Sequence, residues 1–407
     1  MKAEKSRNRS TVWLLPSLGG GGAERTVVNL TAAFQARRID CTIGVLQPFQ
    51  DYTTQLQVES LTPFRTARLE LWPFLGRRKL QQLEVSRSAD LTISFTTFAN
   101  LLNARSSDSA YPRYISIRTT LSHALFGPTG GVYRHLMQRY YPRATKIVAI
   151  SKFVADDALS YLKLDPSCVH TIYNPVPIQE IERLSREPLP EPWDSELKNR
   201  FTILTTGRLS AEKGHAHLLH VVAAMQRRGV DCRLLVAGKG ARLVDYVKLG
   251  RALGLRVVTA SDPDTTQKAA DVVFLGFIEN PFSFMRHAHA FAFPSALEGF
   301  GQALLEAVAS GATIVASDCD SGPREILAPG TDYRHRALVV EETPCGWLVP
   351  PPTTNWRSTN PGTVAQWVEA LEHVQKHAPD KRHVLRRRAE DFAIETVTDA
   401  WVEMLGW

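Results

Sequence analysis

No stretch of the 407-residue chain approaches the roughly 20 consecutive apolar residues that a membrane-spanning helix needs. Cysteine is scarce: Cys41, Cys168, Cys232, Cys319 and Cys345 are odd in number, scattered and never in a CxxC pair. They read as reduced thiols, which excludes a disulfide scaffold and a zinc ribbon. There is no repeat at a short fixed period. No nucleic-acid-binding motif accompanies the excess of 48 Lys and Arg over 41 Asp and Glu, a formal net charge of +7. The start is basic, yet Val12 to Leu15 is too short for the core of a secretory leader and runs straight into a glycine loop.

What is present is enough chain for two domains, each alternating between strand and helix patterns. In the first, strands are predicted at Thr11 to Leu15, Cys41 to Leu46, Leu91 to Phe95, Tyr114 to Ile117 and Lys146 to Ile150, with a helix over Ala23 to Gln35. Residues 1–175 form this domain, and residues 176–199, rich in proline and charge, are predicted as a linker. Residues 200–385 repeat the alternation, with strands at Phe201 to Thr205, Arg233 to Ala237, Val272 to Leu275, near Ala288 to Pro294, and a closing one at Thr313 to Ser317. From about Val364 the pattern is helical to the end, and residues 386–407 carry enough apolar side chains to pack against something.

Three places can carry chemistry. Gly19 to Gly22 lie between a strand and a helix, where glycines let a phosphate or sugar approach the backbone and the helix end supplies donors. The second strand lacks the acidic residue of a dinucleotide fingerprint, which disfavours an NAD enzyme. The loop Gly207 to Gly214 offers Arg208 and Lys213 at the carboxyl edge of the second sheet, a fork and a point charge able to clamp a diphosphate. In SALEGFGQALLEAVASG, Glu298 precedes a helix that starts near Gly301, and Glu306 lies inside it. The amides of Gly299, Phe300, Gly301 and Gln302 then face an anionic or oxygen-rich ligand. Alone, the two glutamates read better as a dipole-complementing acid and a solvated helix residue; the neighbouring glycines and the motifs elsewhere reverse that preference. The triplets Asp262-Pro263-Asp264 and Asp318-Cys319-Asp320 read as polar-loop aspartates in preference to metal ligands.

Together the segments GGGGAERTVVNL, ISKFVADDAL, IYNPV, TGRLSAEKG, LLVAGKG, VVFLGFIEN, ALEGFGQALLEAVASG and GWLVPP resemble, in order, the retaining family-4 glycosyltransferases. The resemblance implies the GT-B architecture, two Rossmann-like α/β domains facing across a cleft, with a C-terminal helix returning to the N-terminal domain. It implies that Arg208 and Lys213 hold the donor diphosphate, that Glu298 holds the donor sugar and that Glu306 holds the ribose. Gly20, Gly21, Gly22, Gly238, Gly240, Phe277, Ile278, Gly299, Phe300 and Gly301 complete the implied donor site. Many members carry a histidine after the fourth N-domain strand. This chain has Arg118, which can bind an acidic or phosphorylated acceptor or pair structurally, and His123 is a distant substitute.

The expected reaction is same-face transfer of a hexose-type sugar from a nucleoside-diphosphate sugar, UDP by family frequency, to a glycan or lipid-linked acceptor. The segment SDCDSGPREIL resembles a subgroup acting on lipopolysaccharide-type glycans. No cofactor and no metal are expected, since Arg208 and Lys213 supply the positive charge. A sugar-nucleotide epimerase of the same fold and an inactive partner subunit are the alternatives. The expected location is cytoplasmic, with the basic, aromatic segment Tyr111 to Lys146 either lying on an anionic membrane surface or forming an ordinary solvated face.

Overall fold

The computed structural model describes residues 9–19, 21–50, 54, 56–62, 72–107, 111–124, 128–263, 269–377 and 379–407. The chain divides into two compact units, Met1–Pro175 with Phe392–Trp407, and Val176–Asp391.

Among the described residues the first unit has strands β1 (Ser10–Leu15), β2 (Asp40–Val45), β3 (Gln57–Ser60), β4 (Leu91–Phe95), β5 (Arg113–Ile117), β6 (Lys146–Ala149) and β7 (Val169–Thr171). They form one parallel sheet in the order β3-β2-β1-β4-β5-β6-β7. Helices cover both faces, so the strands are apolar on both sides. In β1, Trp13 and Leu15 point into one core layer with Val27, Leu30 and Phe34, while Val12 and Leu14 point into the other with Leu80, Leu83 and Leu102. Helix Ile394–Leu405 closes the first layer. Its Val397, Trp401 and Leu405 lie among those residues, and Trp13 stacks on Phe95 with ring centroids 5.6 Å apart.

The second unit has β8 (Phe201–Thr206), β9 (Cys232–Ala237), β10 (Val257–Thr259), β11 (Val272–Gly276), β12 (Ala290–Phe293), β13 (Ile314–Ser317), β14 (Glu341–Thr343) and β15 (Gly346–Val349). Their order is β10-β11-β9-β8-β12-β13-β15-β14, parallel except for the antiparallel β14-β15 edge. The sheet thus extends past Thr313 to Ser317, where the sequence pattern closed it. In each unit the chain winds outward from the first strand, then returns to its other side. The switch points fall between β1 and β4, and between β8 and β12.

Residues 176–199 differ from a linker. They form helices Ile178–Ser185 and Trp193–Glu196, and Ile181, Leu189, Trp193 and Leu197 are buried in the second unit. Their charged residues, with Pro188 and Pro190, are exposed or half-buried, which is why composition reads as linker, although Pro192 is buried. The C-terminal helical pattern is broken into Pro361–His377, Arg382–Glu390 and Ile394–Leu405. Residues 386–391, expected in the returning segment, belong to the second unit, with Arg388 donating to the carbonyl of Ile326 at 2.9 Å. No helix among the described residues is long and apolar enough to cross a membrane.

Candidate active site

The carboxyl edge of the second sheet is where the candidate residues of that unit gather. After β8 the chain turns through Gly207 and Arg208 into a short 3-10 turn, Ala211–Lys213, and then helix His215–Arg227. Gly214, at φ +68°, passes so close to the end of β12 that a Cβ there would lie 1.9 Å from the carbonyl oxygen of Pro294. Ala296 N–H donates to the carbonyl of Glu212 at 2.8 Å, so the loops after β8 and β12 are pressed together at the switch point. Gly238, at φ +148°, plays the same part for the loop after β9: its Cβ would meet the Gly207 oxygen at 1.9 Å. Leu209 N–H donates to Lys239 at 3.0 Å and Gly238 N–H to Gly276 at 2.6 Å.

This framework brings Lys213 Nζ to 2.6 Å from Glu298 Oε1, the lysine side chain being 22% exposed and the glutamate 8%. The cation read as a diphosphate clamp and the carboxylate read as a sugar ligand are thus one ion pair. Arg208 is exposed beside them, its carbonyl 3.1 Å from Nε2 of buried His215. Burial pushes the His215 pKa down to about 4, so the ring is neutral at pH 7 and adds no charge to the loop. Glu212 is half-buried, which raises its pKa. The Ser210 hydroxyl, 2.6 Å away, with Arg208 and Lys213, outweighs this and holds the carboxyl below its ordinary range.

Glu298 sits on a loop tied down from the next strand. The Ser317 hydroxyl donates to the carbonyl of Ser295, and the Ser321 hydroxyl to that of Gly299 at 2.5 Å. Phe300 is buried beneath, and helix Gln302–Ser310 begins after Gly301, at φ +97°, with no side-chain cap. Glu306 lies in its second turn, 7% exposed. A Cβ added at Gly240 would lie 2.6 Å from the backbone of Leu209. Phe277 is 68% exposed with Lys239 Nζ 5.8 Å over its ring, and Ile278 is half-buried. Sequence reasoning missed Ser317 and Ser321, although both lie in the segment SDCDSG singled out for another reason. In that segment Asp318 is buried against Arg324 at 2.6 Å and Asp320 pairs with Arg336 at 2.9 Å. Asp262 accepts from Thr259 N–H at 2.7 Å, and Asp264 lies outside the described residues.

In the first unit, Gly21 caps helix Gly22–Ala36 and Gly20 lies outside the described residues. Arg118 leaves the end of β5, its guanidinium 5.4 Å over the ring of Phe95, donating to Thr26 Oγ1 at 3.1 Å and to Asn174 Oδ1. Burial lowers its pKa to about 9, against the pull of Glu24, so it stays charged at neutral pH. Asn174, from the segment IYNPV, was not foreseen as its partner. His123 is half-buried on the next short helix, Leu121–Ala124.

Two α/β units built on largely parallel sheets are the architecture of the GT-B fold. Residues 200–351 match the model of the glycosyl transferases group 1, and residues 20–180 that of glycosyltransferase family 4. The chain belongs to the family-4 glycosyltransferases. An uncharacterized glycosyltransferase of Methanocaldococcus jannaschii is 24% identical over 278 residues, 65% of this chain and 64% of that protein. An N-acetylgalactosamine-N,N'-diacetylbacillosaminyl-diphospho-undecaprenol 4-alpha-N-acetylgalactosaminyltransferase of Campylobacter jejuni is 30% identical over 196 residues. That match takes in 48% of this chain and 47% of the relative, so the chain spans about two-thirds and about half of these two relatives. The solved structure of Anabaena HepE in complex with UDP-glucose has the same fold, with a TM-score of 0.68 at 20% identity over 98% of this chain and 99% of that one.

Proposed function

We infer that this chain is a retaining hexosyltransferase. It moves a sugar from a nucleoside-diphosphate sugar, UDP being the nucleotide, to a glycan or lipid-linked acceptor in surface polysaccharide assembly of the bacterial, lipopolysaccharide type. The observation that carries the reading is the Lys213–Glu298 pair at the β8/β12 switch point with Arg208 exposed beside it. A diphosphate needs cations that are held in place before it arrives, because fixed charge costs no reorganisation as the leaving group develops its own. HepE with bound UDP-glucose supports the nucleotide, and the diphospho-undecaprenol in the Campylobacter relative's name supports a lipid-linked acceptor.

In the reaction, the acceptor oxygen bonds to the anomeric carbon on the face from which the diphosphate departs, and the acceptor's hydroxyl proton passes to the departing diphosphate oxygen. Arg208 and Lys213 stabilise the leaving charge without a metal. Glu298 accepts hydrogen bonds from the sugar hydroxyls, and Glu306 those of the ribose. The amides from Gly299 to Gly301 face the sugar, while Phe277, Ile278, Gly238 and Gly240 border the base. Gly20 to Gly22 belong to the donor side, and Arg118 and His123 to the acceptor side. The reaction runs on the cytoplasmic side of the membrane.

The test is thermal stabilisation by UDP, GDP, ADP and NAD, with Glu306→Ala alongside. Ligand at about 100 times its Kd stabilises by about 2.7 kcal/mol. UDP alone should produce the shift, and Glu306→Ala should reduce it. Conversion of a UDP-sugar without release of UDP would make the protein an epimerase, and no shift with any nucleotide would make it an inactive subunit.

A further inference from the structure

Arg118 is a half-buried cation to which the fold gives no acid. Its guanidinium lies 5.4 Å over the ring of Phe95, the last residue of β4, while Nη2 donates to Thr26 Oγ1 at 3.1 Å and to Asn174 Oδ1. Both acceptors are neutral, and both are buried. Nε is buried with no hydrogen-bond partner, and no carboxylate of the described residues forms an ion pair with the group. Glu24, in the first turn of helix Gly22–Ala36, favours the charge through space without bonding to it. A charge withdrawn from water is ordinarily matched by an opposite one, and two neutral acceptors with a ring face return only part of the lost solvation. Other buried arginines of this chain show the contrast. Arg113 is forked onto Glu84 at 2.7 and 2.9 Å, and Arg324 donates twice to Asp318, at 3.0 and 2.6 Å.

The group also stands where ligands of such sheets bind. β1 and β4 flank the switch point of the first sheet, and Arg118 touches Phe95 at the end of β4 and Thr26 in the helix that follows β1. Thr26 Oγ1 in turn donates to the Gly22 carbonyl at 2.8 Å, so the guanidinium lies beside the amino end of that helix, which also favours negative charge. Thr96, directly after Phe95, is held at φ +70° and ψ 163°, a costly region for a β-branched residue, and its hydroxyl is buried without a partner. Strained residues and unmatched polar groups of this kind gather where a ligand completes the structure.

We propose that Arg118 binds an oxyanion carried by the acceptor sugar, a phosphate ester or a uronic carboxylate, so that the enzyme selects an acidic acceptor over a neutral one. Nη1, the donor left without a partner among the described residues, takes the oxygen, while Thr26 and Asn174 fix the plane of the guanidinium. Naming the acceptor rests on the transferase reading, in which Arg208, Lys213, Glu298 and Glu306 of the second unit hold the diphosphate, sugar and ribose of the donor.

The experiment is thermal stabilisation of the full chain by glucose-6-phosphate, glucose-1-phosphate, glucuronate and neutral glucose, each with and without saturating UDP, which on the transferase reading occupies Arg208 and Lys213. With UDP present, at least one of the three acidic sugars should stabilise the wild type and glucose should not. A charge-assisted hydrogen bond corresponds to about 10-fold to 100-fold in affinity, so Arg118→Gln should raise the apparent Kd of that sugar by about this factor. Arg118→Lys keeps the charge and should lose clearly less. No stabilisation by any acidic sugar, equal stabilisation by glucose, or unchanged affinity in Arg118→Gln would each overturn the proposal. So would equal losses in the Gln and Lys variants, which would mean that the side chain serves packing alone. A preference for UDP-glucuronic acid over UDP-glucose that Arg118→Gln abolishes would put the oxyanion on the donor and overturn the acceptor assignment. The UDP shift on the same samples separates the two readings. A UDP shift without Arg118-dependent sugar binding removes the anion site and leaves the transferase, and the converse leaves the anion site and removes the transferase.

Discussion

Lys213 and Glu298, 85 positions apart in the chain, meet at 2.6 Å where the loops after β8 and β12 converge. The pair holds a cation in place over the carboxyl edge of the sheet, and Arg208, earlier in the loop that carries Lys213, is exposed.

Lys213→Met should lower kcat by about 100-fold to 1,000-fold, the usual cost of deleting one preorganised charge stabiliser, and should weaken UDP binding as well. Glu298→Gln keeps the shape but removes the charge. It should lower kcat while leaving the UDP-induced thermal shift close to that of the wild type, because the proposed reaction has Glu298 hold the sugar and not the nucleotide. The double variant should fall short of the product of the two losses, as members of one unit do. Initial rates with UDP-sugar and acceptor decide: wild-type kcat in Lys213→Met removes the lysine from the mechanism.

Acid stability follows from two histidines of helix His215–Arg227. Burial lowers His215 to about 4 and His217 to about 3, the latter helped by His220, and the His217 ring contacts Trp367 edge-on at 5.8 Å. Both pKa values are lower folded than unfolded, so the unfolded chain binds more protons below its ordinary value of 6.5. The stability they permit is intact above that value and is lost as pH falls toward about 4 and 3. At about pH 5 each histidine should cost about 2 kcal/mol relative to neutral pH. Urea midpoints at the two pH values measure this, and His217→Phe should lose markedly less on acidification. An identical pH dependence in the variant would show that His217 is solvated in the native state.

Much of the fold was legible because buried parallel strands are continuous runs of buried residues: Leu91–Phe95 stands in the structure as read. The edge strands were not. Gln57–Ser60 and Glu341–Thr343 bury little and carry polar residues, so neither period nor composition marks them. Helices Ile178–Ser185 and Trp193–Glu196 were hidden because they are short and bury few side chains, Ile181 and Ser185 in the first and Trp193 in the second, among charged neighbours. At the candidate site, residue types were visible and partnerships were not. Nothing local in TGRLSAEKG or ALEGFG says that Lys213 and Glu298 touch, or that Ser317 and Ser321 clamp the glutamate's loop, because those contacts are made by the strand order.

The return of the chain to the first unit is itself testable, because its two kinds of contact differ greatly in worth. Trp401 is 1% exposed, with its ring 6.0 Å from Trp13 and 6.2 Å from Phe95, in the layer that also holds Phe34. Asp399, on the same helix, pairs with Arg37 at 2.5 Å, yet its side chain is 71% exposed. Removing a buried tryptophan leaves a cavity that the surrounding rings of the parallel sheet cannot collapse to fill, a loss of about 3–5 kcal/mol. An exposed ion pair contributes about 0–1 kcal/mol. Trp401→Ala should therefore lower the urea midpoint of the first unit strongly and expose helix Ile394–Leu405 to proteolysis, whereas Asp399→Asn should leave both within error of the wild type. Comparable effects of the two substitutions would mean that surface charge, not the aromatic layer, holds the C-terminal helix in place.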